Sequence, residues 1–296
     1  MMKETDLSTT STHPYAGSLF GHLYTLFLFT KSDFKTTITP ISLFAMAVSP
    51  KLQLARIPQV IFWLWLHVLQ CDVSNQTTHP EEDEVNKSDR PIPSGRMTLR
   101  QALILRWLLV PVCWIYSLWY STQLMWTSVV LTVLTFIYNE QAAASHWAMK
   151  NLLNGFGLCT FEAGAALTIA PQYRNLQGSV LLAILMNFGI YVTTIHTQDF
   201  KDVQGDSLIG RHTLPIVRPD IARETVIVGM SFWSMALAWT WGLDGFTSAA
   251  FVLLAVFVGY RFMAFKETRD DQISFYWYNV WLSLAHISPA YFRYLA

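Results

Sequence analysis

Long apolar runs alternate with short polar breaks along almost the whole chain. A helix needs about 20 apolar residues to cross a hydrocarbon core roughly 30 Å thick. On that measure the pattern predicts nine transmembrane helices, at 35–50, 57–78, 98–120, 122–140, 150–170, 178–198, 222–243, 246–265 and 272–292. The first is the shortest. Upstream, Tyr15 to Phe29 is apolar and aromatic but too weakly continuous to span, which predicts a helix lying in the interface. Residues 1–14 are polar and predict a disordered tail. The expected fold class is therefore an all-α polytopic membrane protein, with a tail and interfacial helix over 1–30 and one transmembrane domain over 31–296.

Composition sharpens this picture. The chain has 296 residues, of which 52% are hydrophobic and only 14% charged; a soluble domain usually carries about 25% charged residues. Net charge is zero, so no global field points to nucleic acid. Cys71, Cys113 and Cys159 all lie inside apolar runs and read as reduced packing residues. No removable signal peptide is expected, since the start lacks a basic segment, a short apolar run and a cleavage site. Lysine and arginine crowd one set of loops, while the opposite set holds only Lys51, Arg56, Arg174 and Arg293. The positive-inside rule then puts the amino terminus and the basic loops in the cytosol. The sequons at Asn75 and Asn86 would stay unused there.

Two polar stretches on that cytosolic side carry the candidate chemistry. Asn75-Gln76-Thr77-Thr78-His79-Pro80-Glu81-Glu82-Asp83 runs on to Asn86-Lys87-Ser88-Asp89-Arg90-Pro91-Ile92-Pro93-Ser94-Gly95. Asp199-Phe200-Lys201-Asp202-Val203-Gln204-Gly205-Asp206 runs on to Gly210-Arg211-His212-Thr213-Leu214-Pro215. Each follows a long apolar segment. Acids at the mouth of a membrane helix are costly unless a cation sits between them, so the pair suggests a divalent-metal clamp for a diphosphate. Asn75, His79 and Asp83, and likewise Asp199, Asp202 and Asp206, have spacings that line one helix face, although Pro80 would kink or end the first helix. Magnesium keeps several waters, so each cluster needs to supply only one or two oxygens. Lys87, Arg90, Lys201 and Arg211 lie close in sequence and suit the remaining diphosphate charge. Recurrence of the element four helices later hints at an internal duplication.

These residues resemble the UbiA superfamily of intramembrane prenyltransferases. The resemblance rests on Asn86-Lys87-x-x-Arg90-Pro91-Ile92-Pro93-Ser94-Gly95 and on Lys201-Asp202-x-x-Gly205-Asp206 followed by Gly210-x-x-Thr213-Leu214-Pro215. It implies a nine-helix bundle around a cavity that opens to the cytosolic face, with magnesium and a prenyl diphosphate bound there. The first motif departs from the family pattern: Gln76 and His79 stand where the pattern has Asp, while Asn75 and Asp83 match and Glu81 and Glu82 add carboxylates. Three readings are open: a metal site rebuilt with Glu82 and Asp83, a site for fewer ions, or a dead site. The Asn-Gln form followed by Glu-Glu-Asp looks like a fungal branch of membrane-bound class I terpene cyclases. That likeness implies cyclisation of farnesyl diphosphate without an acceptor, and an endoplasmic-reticulum location.

The metal ligands expected are Asn75, Glu82, Asp83, Asp199, Asp202 and Asp206. Diphosphate contacts are expected from Asn75, Lys87, Arg90, Tyr138, Lys150, Asn151, Lys201 and Arg211. Of these, Lys150, Tyr138, Arg90 and Lys201 would act on the leaving group; the roles of Tyr138 and Lys150 come from the resemblance. Glu162 lies in mid-helix, where a carboxylate needs a partner or a cavity; it is either a structural partner or a late proton acceptor. His67, His196 and His286 read as satisfied core groups, and Asn187, Tyr191, Tyr278 and Asn279 as candidate lining of the apolar channel. Most of the tryptophans belong to interfacial belts. The competing functions are an aromatic prenyltransferase, which would need a ring acceptor, and a non-catalytic transporter, which would place its polar residues at the midplane. No protein partner is readable.

Overall fold

The computed structural model describes residues 18–51, 53–140, 143–170 and 176–294. The tail expected over 1–14 and the start of the interfacial segment lie outside the described residues. Helix α1 (Leu19–Thr30) follows, capped by Ser18, and exposes Leu19, Phe20, Leu23, Tyr24 and Phe27. A π-turn at Phe34–Ile38 leads into α2 (Thr39–Val48), where the expected first span lies. Then come α3 (Ile57–Thr78), α4 (Pro80–Asn86), α5 (Leu99–Tyr120), α6 (Thr122–Glu140), α7 (Trp147–Ile169) and α8 (Gly178–Thr194). The short α9 (Val203–Leu208) and α10 (Leu214–Val217) precede α11 (Ala222–Trp241), α12 (Gly245–Ala264) and α13 (Thr268–Tyr294).

Local sequence explains these boundaries. Pro40, Pro58 and Pro80 stand in the first turns of α2, α3 and α4, where a missing N–H costs nothing. Thr98 and Gln101 form a capping box on α5, and Asp244 caps α12 through the N–H groups of Phe246 and Thr247. Gly242 ends α11 at φ 64°, a left-handed turn that glycine takes without strain. The stretch Asn75 to Asp83 is not one helix face as its spacing suggested. His79 leaves helical geometry at φ −133° and Pro80 starts a new helix, so α4 turns off the end of α3.

Among the described residues, five helical segments are long and apolar enough to cross a membrane: Leu54–Thr78, Leu99–Tyr120, Trp147–Ile169, Gly178–Leu208 and Gly245–Ala264. Their outer faces are apolar, and Trp119 on α5 stands 88% exposed, as Trp239 on α11 does at 90%. Polar residues turn inward instead. His67 Nδ1 donates to Trp63 O at 2.8 Å, which leaves Nε2 to accept from Ser128 Oγ at 2.6 Å. His196 is held at Ala222 O. Glu162 accepts from Asn187 Nδ2 at 3.0 Å and Tyr191 OH at 2.7 Å and lies 3.0 Å from His286 Nε2, with all four side chains buried. This cluster ties α7, α8 and α13 together, and so gives Glu162 structural partners. Asn187 and Tyr191 are used up there, Tyr278 meets Thr194, and Asn279 donates to Phe275 O. None of these four lines the cavity described next, contrary to expectation.

Candidate active site

The last turns of α3 and α6, the N-terminal parts of α7 and α13, the end of α1 with the turn that follows it, and the segment after α8 meet at one end of the bundle around a cavity of about 420 Å³. Asn75, Glu82, Lys87, Arg90, Tyr138, Lys150, Asp199, Lys201, Asp202, Asp206 and Arg211 all line it. The two polar stretches, more than a hundred residues apart in sequence, thus share one vestibule. They are joined directly: Asn86 Oδ1 accepts from Gly205 N at 3.2 Å, and Asn86 Nδ2 donates to Asp202 O at 3.3 Å. A Cβ on Gly205 would lie 2.1 Å from Asn86 Nδ2 and would drive the Asn86 amide out of both hydrogen bonds.

Carboxylates and cations alternate around the wall. Lys150 Nζ bridges Asp199 at 2.8 Å and Asp206 at 3.2 Å. Arg211 Nη1 bridges Glu82 at 2.8 Å and Asp206 at 3.0 Å, so one guanidinium links both motifs. Lys201 and Lys87 approach Asp202 at 2.5 and 3.7 Å. Gly210, at φ 72°, turns the chain so that Arg211 N bonds back to Asp206 O. Burial strips water from Lys87 and Arg90 repels it, and together they hold its ammonium pKa below the usual lysine value despite Asp202. Burial opposes the charge of Arg90 as well, yet Asp83 and Asp72 outweigh it and keep the guanidinium firmly protonated. For Arg211 the same opposition is outweighed by Tyr138, Glu82 and Asp206.

Several expected site residues sit elsewhere. Asn151 donates to Val192 O at 3.1 Å and does not line the cavity; its amide holds α7 against α8. Asp83 is also behind the wall, 2.7 Å from Arg90 Nη1, and holds that arginine in place. Gln76 donates to Phe29 O at 3.0 Å, so a position that the family pattern gives to an acid here anchors α1. The His79 ring, partly exposed, lies 3.3 Å from Glu81 Oε1. Asn75 Nδ2 donates to Asn139 Oδ1, and Asn139 donates in turn to Ser74. Sequence reading missed Asp72, Asp33, Asn154 and Gln198 in the lining. Asp72 was findable, since it lies three residues before Asn75 on the same helix face.

The donor set suits a hard divalent ion. Asp199 Oδ2 is buried with no hydrogen-bond partner among the described residues, and Glu82, Asp202 and Asp206 bring further carboxylates to the same lining. Among the described residues no group of three His, Cys, Asp or Glu converges closely enough to hold an ion alone.

The family model for the UbiA prenyltransferase family matches residues 37–283. The chain belongs to that family. It is 30% identical to fumagillin beta-trans-bergamotene synthase of Aspergillus fumigatus, over 92% of this chain and 93% of that one. It is 29% identical to a diterpene cyclase of Hericium erinaceus, over 86% and 83%. Among solved structures, a UbiA homolog from Archaeoglobus fulgidus bound to DMAPP and Mg2+ superposes with a TM-score of 0.65 at 11% identity, covering 89% of this chain and 99% of that one. The protein is an integral membrane protein with the UbiA fold.

Proposed function

We propose that this protein is a magnesium-dependent class I terpene cyclase that ionises farnesyl diphosphate and closes the released chain to a sesquiterpene hydrocarbon. The observation that carries the reading is the shared vestibule, in which carboxylates of both motifs face buried and half-buried cations above a largely apolar cavity. Its relatives point the same way: the first two are named as a bergamotene synthase and a diterpene cyclase. A membrane bundle of nine spans, with the vestibule facing the cytosol of the endoplasmic reticulum, goes with this reading and with the charge asymmetry of the loops.

Glu82, Asp199, Asp202 and Asp206 would hold the metal, which when bound neutralises charge on the diphosphate oxygens. Lys150 and Arg211 already lie between carboxylates and need little movement to meet the diphosphate. Lys87, Arg90 and Lys201 complete a ring of cations aimed at the oxygen that gains charge, where electrostatic stabilisation acts most. The C1–O bond breaks with its electron pair leaving on diphosphate. A distal alkene then supplies the π pair for the new C–C bond, and the resulting cation loses a proton to the departing diphosphate. Leu131, Leu134, Leu153, Leu158, Phe161 and Phe275 line that cavity and exclude the water that would quench the cation.

Membranes containing the protein, given magnesium and farnesyl diphosphate with no acceptor, should release a volatile hydrocarbon and an equal amount of diphosphate. Turnover that appears only on adding a phenolic acceptor would replace this reading with an aromatic prenyltransferase.

A further inference from the structure

The cavity continues below the vestibule, and the residues that line it farthest from the vestibule stand on α7. Cavity-lining positions on that helix run Lys150, Leu153, Asn154, Gly157, Leu158 and Phe161. At a rise of about 1.5 Å per residue, Phe161 lies roughly 16 Å below Lys150 and Gly157 roughly 10 Å below it. On α6 the deepest lining residue is Leu131, and on α3 it is Cys71, at shallower levels relative to Asn139 and Asn75.

Phe161 is backed by a pinned wall. Its ring meets Trp63 edge-on at a centroid distance of 6.3 Å, and Trp63 is fully buried. Trp63 cannot swing aside. Its Nε1 donates to Ser117 Oγ at 2.9 Å, His67 stacks on it at 4.1 Å, and it fills the notch over Gly164, where a Cβ would come within 2.1 Å. Gly157, one turn above Phe161, is the opposite case: a Cβ added there meets nothing within 4 Å. A side chain at 157 would therefore project into the open cavity.

We propose that Gly157 and Phe161 set the length of the prenyl chain this enzyme accepts. Phe161 stops the tail, and the absence of a side chain at 157 leaves it room. A stop at that level also bends a long tail back toward the diphosphate, which brings a distal double bond to the ionised carbon. The inference rests on the prenyl-diphosphate reading above and names the two positions that select the substrate within it.

The test uses full-length protein in detergent with magnesium and the unreactive thiolodiphosphate analogues of geranyl, farnesyl and geranylgeranyl chains. Phe161→Ala should improve binding of the geranylgeranyl analogue relative to farnesyl by about tenfold or more, the size of effect expected from opening a pocket by several methylenes. Gly157→Leu should shift preference from farnesyl to geranyl by a similar factor. This second variant also replaces glycine in a helix interior with a better helix former, so folding is not at stake. Unchanged ratios in both variants would overturn the ruler. Failure of the wild type to bind any of the three would overturn the underlying reading along with it. Binding without acceptor-free turnover would sink only the cyclase assignment and leave the ruler standing.

Discussion

Gly205 and Asn86 show how much a single hydrogen atom in place of a methyl decides here. Gly205→Ala should break the Asn86 bonds that join α9 to α4 and so displace Asp202 and Asp206 together. A displacement of this order costs about 100-fold in rate, so kcat/KM should fall by that much while the protein still inserts and purifies. Wild-type kinetics in this variant would show that the two motifs need not touch. Gln76 makes the converse point. Gln76→Asp restores the residue type of the family pattern, yet it should not raise activity. It removes the donor to Phe29 O and buries an acid, which costs about 1–3 kcal/mol; a lower melting temperature in detergent with no gain in turnover is the expected result. Higher activity at unchanged stability would mean Gln76 faces the metal after all. Sequence made Asn86, Gly205, Asp202 and Asp206 visible through their spacing. It hid the role of Gln76, because Phe29 lies 47 residues away in a different helix.

Between elements, buried ion pairs do the joining that apolar contact alone leaves loose in a membrane. Arg223 on α11 forks onto Asp271 of α13 at 2.7 and 2.9 Å and also donates to Phe262 O on α12. Asp271→Ala leaves a largely buried guanidinium without its counter-ion and should lower stability by about 3–5 kcal/mol. Thermal unfolding in detergent checks this; a shift within error would mean that Phe262 O and water suffice. The long helices were legible in the hydrophobic pattern, because apolar length is what a bilayer selects. The break at His79 was foreshadowed only by Pro80. The short α9 and α10 were not legible, since helices of six and four residues carry no period of their own. The partners of Glu162 were also out of reach: a carboxylate in an apolar run announces that it needs partners but not which helices supply them.

For the molecule as a whole, the notable property is that the vestibule balances its own charge. Each lining carboxylate of the second motif already touches a lysine or arginine. Removing divalent ions with a chelator should therefore abolish turnover but leave the melting temperature of the ligand-free protein nearly unchanged, since no bare acid cluster is left behind. A large drop in melting temperature on chelation would point to a resident structural metal instead. In the proposed function, acids from both motifs grip one metal-bound diphosphate. Titrating farnesyl thiolodiphosphate against wild type, Glu82→Gln and Asp202→Asn across a range of magnesium concentrations measures that grip. Wild-type affinity should climb steeply with magnesium, and each variant should lose most of that climb. Metal-independent binding by the wild type, or full metal dependence in Glu82→Gln, would contradict it.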